Sequence, residues 1–256
     1  MTAFEPLLVL DDIKKSYGAI EALKGISFTI GKGEVVALLG DNGAGKSTLV
    51  KIISGGLEPS GGRMLFEGKE FLAKTPSEAK AAGIETVYQD LSLATNVDVV
   101  ANFFMGREIT KRILGVPVLD EKAMEAVVAQ ALASAGTKIP SLRTKVEHLS
   151  GGQRQAIELN RFVHWGGKLV LLDEPFAALG VEQTRRGLDM IRAVANQGIG
   201  VVIITHIMQQ AFQVADRIVV IRQGVVAGDV ETRNTSPDAV VKMITGETTA
   251  AAGAAA

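Results

Sequence analysis

Val35-Val36-Ala37-Leu38-Leu39-Gly40-Asp41-Asn42-Gly43-Ala44-Gly45-Lys46-Ser47-Thr48 joins five apolar residues to a glycine-rich turn that ends in a lysine and two hydroxyls. An apolar run with no polar alternation predicts a strand buried on both faces, as in a parallel sheet covered by helices. The turn fits G-x-x-x-x-G-K-[ST], and Leu49 to Ile53 continues in a helix-compatible pattern, which is the strand–turn–helix context the motif requires. Glycines let the backbone wrap a phosphate chain with its N–H groups inward, and the following helix offers its positive end. Gly40, Asn42, Gly43, Ala44, Gly45, Lys46, Ser47 and Thr48 are therefore expected to form a phosphate-binding loop. Lys46 reaches the β and γ phosphates in this reading, and the Ser47 hydroxyl ligates Mg²⁺ shared with them. A glycine-rich turn that merely precedes Lys-Ser is the competing explanation, and the flanking strand and helix weigh against it.

Outward from that loop, the chain has 256 residues, which at roughly 100 to 200 per domain means one large domain or a core carrying a subdomain. Lys plus Arg number 27 against 28 Asp plus Glu, so no overall basic field draws the chain to nucleic acid or anionic lipid. Without cysteine it has no disulfide framework, no thiol catalysis and no thiolate metal site. His148, His164 and His206 are too scattered for a zinc site, so any metal belongs on oxygen ligands. The hydrophobic fraction is 47%, yet runs such as Val201 to Ile204 fall far short of the ~20 residues a spanning helix needs. The first residues show no basic segment followed by a long apolar one, which predicts a cytoplasmic location.

Short alternating stretches at Leu8 to Leu10, Gly25 to Ile30 and Glu34 to Leu39 predict an antiparallel layer feeding a buried strand, with a further hairpin at Gly62 to Lys69. Ile84 to Tyr88 reads as another buried strand. From about Leu91 to Phe162 the pattern is mostly helical, with an amphipathic stretch at Glu121 to Ala135, and predicts an inserted helical subdomain. Leu169 to Leu172, Val201 to Ile204 and Ile218 to Ile221 are strands, with a helix at about Val181 to Asn196 between the first two. Such alternation implies parallel pairing, hence an α/β core with a mainly parallel sheet. The domain spans 1–246, and residues 247–256, rich in Ala, Gly and Thr, are expected to be a disordered tail.

A P-loop needs a second acidic element. Leu169-Val170-Leu171-Leu172-Asp173-Glu174-Pro175 supplies it, with Asp173 at the carboxyl end of a buried strand to hold the metal and Glu174 next to orient or deprotonate water. Taken alone, the same residues fit an ordinary acidic turn. Leu149-Ser150-Gly151-Gly152-Gln153 precedes a helical pattern, with Ser150 placed as N-cap, and its glycines free backbone N–H groups for a second anion site. One nucleotide does not need two such sites in one chain.

With these motifs in this order, the sequence resembles the ATP-binding subunit of an ABC transporter from about Leu8 to Gly246. The resemblance implies an ABC ATPase fold with ATP and Mg²⁺ as ligands. It also implies a head-to-tail dimer in which the P-loop of one copy and the Ser150, Gly151, Gly152, Gln153 turn of the other sandwich each ATP. It assigns Tyr17 to stacking on adenine, Gln89 to Mg²⁺ and the attacking water, and His206 to the γ phosphate. His148 and His164 match no catalytic position and are assigned to packing or surface. Where many members of the family carry Ser-Ala-Leu-Asp, this chain has Ala177-Ala178-Leu179-Gly180, so the aspartate that contacts the dimer partner is missing. Ala177 to Val181, Tyr88 to Leu91 and Asn102 to Glu108 are similar to the importers of ribose, xylose and fructose.

The implied partners are a second copy, integral membrane permease subunits contacted around Gln89 to Val100, and, indirectly, an extracytoplasmic solute-binding protein, with no nucleic acid. The implied place is the cytoplasmic face of the membrane. Three alternatives remain: an importer ATPase for a non-sugar solute, a soluble ABC-type ATPase acting on DNA or ribosomes, and a P-loop kinase. The second usually has paired cassettes or a long coiled-coil insertion, and the third leaves Leu149 to Gln153 and His206 without roles.

Overall fold

A computed structural model describes residues 5–87, 93–134, 139–176 and 180–247, without the side chains of residues 87, 134, 155, 159 and 183. In chain order the elements are β1 (Pro6–Tyr17), β2 (Ile20–Gly31), β3 (Val35–Leu39), α1 (Lys46–Ile53), β4 (Gly61–Phe66), β5 (Lys69–Glu70), α2 (Pro76–Ala82) and β6 (Ile84–Val87). There follow α3 (Val99–Phe104), β7 (Thr110–Ile113), β8 (Val116–Leu119), α4 (Glu121–Ser134), α5 (Gly151–His164), β9 (Leu169–Asp173) and α6 (Val181–Ala195). The chain closes with β10 (Gly200–Ile204), α7 (Met208–Val214), β11 (Arg217–Arg222), β12 (Val225–Glu231) and α8 (Pro237–Thr245).

The central sheet has the order β12-β11-β3-β10-β9-β6, and all neighbours are parallel except the edge pair β11–β12. Its apolar runs are uninterrupted because each strand packs on both sides. Val36 and Leu38 of β3 join one cluster with Leu171 and Ile204, together with β1, β2 and α1. Val35, Ala37 and Leu39 join a second with Leu172 and Ile203, together with α6, α7 and α8. The antiparallel layer is a second sheet, in the order β2-β1-β4-β5. Its two long strands exceed the short stretches expected at Leu8 and Gly25. Asp12, with φ 54°, marks an irregularity between Leu10 and Ile13 that the chain passes through without ending the strand.

A third cluster links Leu93, Val99, Phe103, Val128, Val146, Leu149 and Ile157, and so ties α3, α4 and α5 together. The expectation that residues 91–162 are mostly helical needs one correction. β7 and β8 form an antiparallel hairpin within that span, turning at Leu114 (φ 51°) and Gly115 (φ 81°). A two-residue turn with positive φ at both positions matches the twist of the strands it joins. β12 was not foreseen either. Its burial alternates along its length, as befits an edge strand with one face to solvent. The tail residues Thr248 to Ala256 lie outside the described residues, as do Tyr88, Gln89, Asp90 and Leu91, and Ala177, Ala178 and Leu179.

Ile203 is fully buried at the centre of the sheet. Ile203→Ala is predicted to cost roughly 2 to 5 kcal/mol through lost contacts and the cavity left behind. Leu114→Ala, at a position 99% exposed, should stay within about 0.5 kcal/mol. Urea unfolding followed by circular dichroism compares the two.

Candidate functional site

The loop between β3 and α1 lies at the carboxyl end of the central strand, where ligands collect in sheets of this kind. Its shape depends on two glycines. Gly40 has φ 147°, and a Cβ there would sit 2.1 Å from the carbonyl oxygen of Ile221. Gly45 has φ 111°, and a Cβ there would meet Leu23 Cδ2 at 2.7 Å and the Ala22 carbonyl at 2.9 Å. The loop is buttressed from outside, since Gly224 N donates to the Ala44 carbonyl (3.0 Å) and Lys24 N donates to the Gly224 carbonyl (2.8 Å). Lys46 Nζ donates to the Gly40 carbonyl (2.5 Å) and the Asp41 carbonyl (2.9 Å). Partial burial holds its ammonium below the ordinary value, against the pull of Glu174, Asp41 and Asp173.

A cleft of about 250 Å³ opens over this loop, lined by Asn42, Gly43, Gly45, Lys46, Ser47 and Thr48, by Asp173 and Glu174 at the end of β9, and by His206 beyond β10. β10 lies between β3 and β9, yet the two strand ends converge on one volume. Burial, and then the neighbouring Glu174 carboxylate, hold Asp173 above the usual carboxylate range, while Lys46 pulls it down. Glu174 has left-handed backbone, φ 47°, rare for a residue with a side chain and typical of a constrained site. Its N–H donates to the Ile204 carbonyl (2.9 Å) and its Oε1 meets His206 Nδ1 at 2.8 Å. Carboxylate, imidazole and ammonium thus face one volume sized for a phosphate chain.

Ser150 caps α5 as expected. Gln153 N donates to Ser150 Oγ (3.3 Å) and Ser150 N donates to Gln153 Oε1 (3.0 Å), a reciprocal capping box. A Cβ added at Gly152 would meet nothing within 4 Å, so the turn faces open space. Ser150, Gly151, Gly152 and Gln153 do not line the cleft that holds Lys46. Tyr17 is 49% exposed, with Lys15 Nζ 5.5 Å from its ring centroid, at the tip of the hairpin whose second strand brings Ala22 to the cleft. Gln89 lies outside the described residues. His148 is exposed beside Glu147, and His164 packs on Phe103 and Trp165.

The family model described as ABC transporter matches residues 23–177. The chain belongs to the ABC transporter family. It is an ATP-binding, ATP-hydrolysing chain of that family. It is 45% identical over 239 residues to the xylose/arabinose import ATP-binding protein of Sulfolobus acidocaldarius, covering 93% of this chain and 94% of the relative. To the fructose import ATP-binding protein of Rhizobium meliloti it is 44% identical, covering 87% of each. A ribose import ATP-binding protein of Streptomyces avermitilis is 37% identical over 96% of this chain, which spans only 46% of that longer relative. A solved structure of an ATP-binding cassette of an ABC transporter in its ADP conformation has a TM-score of 0.77 at 26% identity, covering 94% of this chain and 99% of that one. A nucleotide-free cassette gives 0.76 at 26% identity, covering 93% and 98%.

Within this ABC ATPase, the oxygen-bearing side chains lining the cleft are Asn42, Ser47, Thr48, Asp173 and Glu174. Among the described residues no cluster of three or more His, Asp or Glu is arranged to hold a metal. Few hard protein ligands beside a phosphate site fit Mg²⁺, which keeps waters and takes phosphate oxygens. Sequence reasoning missed Ala22 and Ile204 in the lining, and the Gly224 buttress. Ile204 reaches the site by pairing with Asp173, Ala22 by packing against Gly45, and Gly224 by backbone hydrogen bonds, so no local motif announces them.

Gly40 and Gly43 (φ 81°) both have positive φ, but a Cβ at Gly43 meets open space. Gly40→Ala is predicted to weaken binding of a fluorescent ATP analogue at least tenfold, whereas Gly43→Ala carries conformational strain alone and weakens it by less. A titration at fixed Mg²⁺ measures both.

Proposed function

We propose that this chain powers the import of a simple sugar by ATP-driven closure of a dimer of cassettes. The observation that carries the chemistry is the Glu174–His206 contact of 2.8 Å, in the same cleft as Lys46, Ser47 and Asp173. The relatives that match nearly end to end, named for xylose/arabinose and fructose import, support the substrate class. In this reading residues 1–246 act as one cassette, with 91–162 as its helical arm.

Two copies lie head to tail. The P-loop of one binds the phosphates of ATP through its backbone and Lys46, with Tyr17 against the adenine. The Ser150 turn of the other, which faces open space in the single chain, closes over the γ phosphate. Ser47 and Asp173, joined by Gln89, are the residues that would hold Mg²⁺, which when bound neutralises charge on the phosphate oxygens. Glu174 orients water in line with the γ phosphorus and draws off its proton. The new P–O bond forms as the bond to the β–γ bridging oxygen breaks, giving ADP and inorganic phosphate. Lys46 and His206 stabilise the charge on the departing groups. Loss of the γ phosphate removes the contacts across the dimer, which reopens.

Gly180 stands where many members of the family carry an aspartate. Its carbonyl accepts from Thr184 N (2.9 Å) at the start of α6, so the backbone of this segment is anchored even though the cross-dimer side chain is lacking. Among the described residues no helix is long and apolar enough to cross a membrane. In this reading the translocation path belongs to permease subunits, which the cassettes join at the cytoplasmic face of the membrane, as the names of the import ATP-binding relatives support. A binding protein delivers the sugar on the far side.

Glu174→Gln is predicted to lower ATP hydrolysis at least about a hundredfold, the loss expected when a positioned base is removed. It should also leave a stable dimer in ATP, seen by size-exclusion chromatography. Rapid hydrolysis by a persistently monomeric variant would count against the scheme. Uptake of labelled pentose and fructose into vesicles holding the cassette, its permease and its binding protein tests the substrate class.

A further inference from the structure

Asn102, on α3, is a polar side chain with 0% exposure and every hydrogen-bonding group used. Its Oδ1 accepts from Ala94 N at 2.7 Å. Its Nδ2 donates to the Ala94 carbonyl (2.9 Å), the Asp98 carbonyl (3.0 Å) and the Val97 carbonyl (3.3 Å). One carboxamide therefore holds 94–98, the stretch that follows Gln89 closely in sequence. A carboxamide is suited to the task because it offers an acceptor and two donors in one plane. The amide orientation follows from the network, since Oδ1 faces an N–H and Nδ2 faces carbonyls.

The far side of the same stretch is bonded to the chain that leads into the Ser150 turn. Val146 N donates to the Val97 carbonyl (3.0 Å) and Glu147 N donates to the Thr95 carbonyl (2.9 Å). Asp98 forms an antiparallel bridge with Lys145. Leu149 N donates to the Val146 carbonyl (3.1 Å), directly before the Ser150 cap. The Asn102 carbonyl accepts from Arg161 Nη1 of α5 (3.2 Å), so α3 is also bonded to the helix that Ser150 begins. Leu93, Val99, Val146, Leu149 and Ile157 pack in one cluster behind these bonds.

We propose that Asn102 is a positioning residue that makes 94–98, 145–149 and the start of α5 move as one body, so that a shift of the chain behind Gln89 reaches the Ser150 turn without slack. The inference rests on the reading that this turn closes over the partner's nucleotide, and it names the residue that lets it do so. No part of Asn102 faces the cleft that holds Lys46. Loosening it therefore leaves nucleotide binding by a single chain intact and impairs closure of the dimer.

The test uses the full chain in the Glu174→Gln background. Asn102→Asp keeps the shape and the acceptor but sets a carboxylate against three carbonyls. Asn102→Ser is a milder change that leaves a hydroxyl able to reach only its own helix's carbonyls. Val128→Ala, fully buried in the same cluster with no bond to 94–98, serves as the control for lost stability. Thermal midpoint, binding of a fluorescent ATP analogue at low protein concentration, and the ATP concentration for half-maximal dimer are measured for each. The expected result is analogue binding within twofold of the parent for all, a normal dimer for Val128→Ala, and at least tenfold more ATP needed by Asn102→Ser. If Asn102→Asp does not fold, Asn102→Ser alone decides. Asn102 variants that dimerise within twofold of the parent overturn the inference, as does equal impairment in Val128→Ala at a matched midpoint. A Glu174→Gln parent that forms no dimer in ATP overturns the two-chain reading itself, and the inference with it.

Discussion

Backbone N–H groups can surround a phosphate chain only where the loop curls more tightly than side chains allow, and here that curl hangs on the buried strand β3. Gly40 lies against the Ile221 carbonyl and Gly45 against Ala22 and Leu23, so one end of the turn abuts the central sheet and the other the antiparallel layer. The two sheets also share one hydrophobic cluster with α1. If either layer shifts, the loop loses its walls. The antiparallel layer is therefore part of what shapes this loop even though it contributes almost no polar side chain to the cleft.

The acidic side of the cleft is built by different means. β9 and β10 are parallel neighbours, and Ile204 pairs with Asp173 in register. Glu174, one residue later, turns into left-handed backbone and ties its N–H back to Ile204. That turn swings the carboxylate toward His206, which leaves the adjacent strand. Two short apolar strands with no polar residue before their ends thus deliver three functional groups to one place.

Much of this was legible in the sequence because it is local. The P-loop, the strand ending in Asp173 and the Ser150 cap each sit within about ten residues, and each type of residue has a mechanical reason to be there. The parallel order followed from apolar runs alternating with amphipathic helices. The hairpin at β7–β8 was missed because its strands are exposed and short, so the only signal is Leu114-Gly115 between β-branched residues. β12 was missed because its polar face dilutes the apolar one. The Gly224 buttress and the Asn102 network were out of reach for another reason. Both depend on hydrogen bonds to backbone groups, which carry no trace of their partners in the side-chain code.

The aromatic seam between α3 and α5 has a practical corollary. The chain holds a single tryptophan. Trp165 donates from Nε1 to the Phe103 carbonyl (3.1 Å), stands edge-on to Phe104 and His164, and carries Arg107 over its face. Excited beyond the absorption of its two tyrosines, the molecule therefore emits from one indole lodged at the joint of α3 and α5. The protein carries a built-in optical gauge of that joint, and no dye is needed to read it.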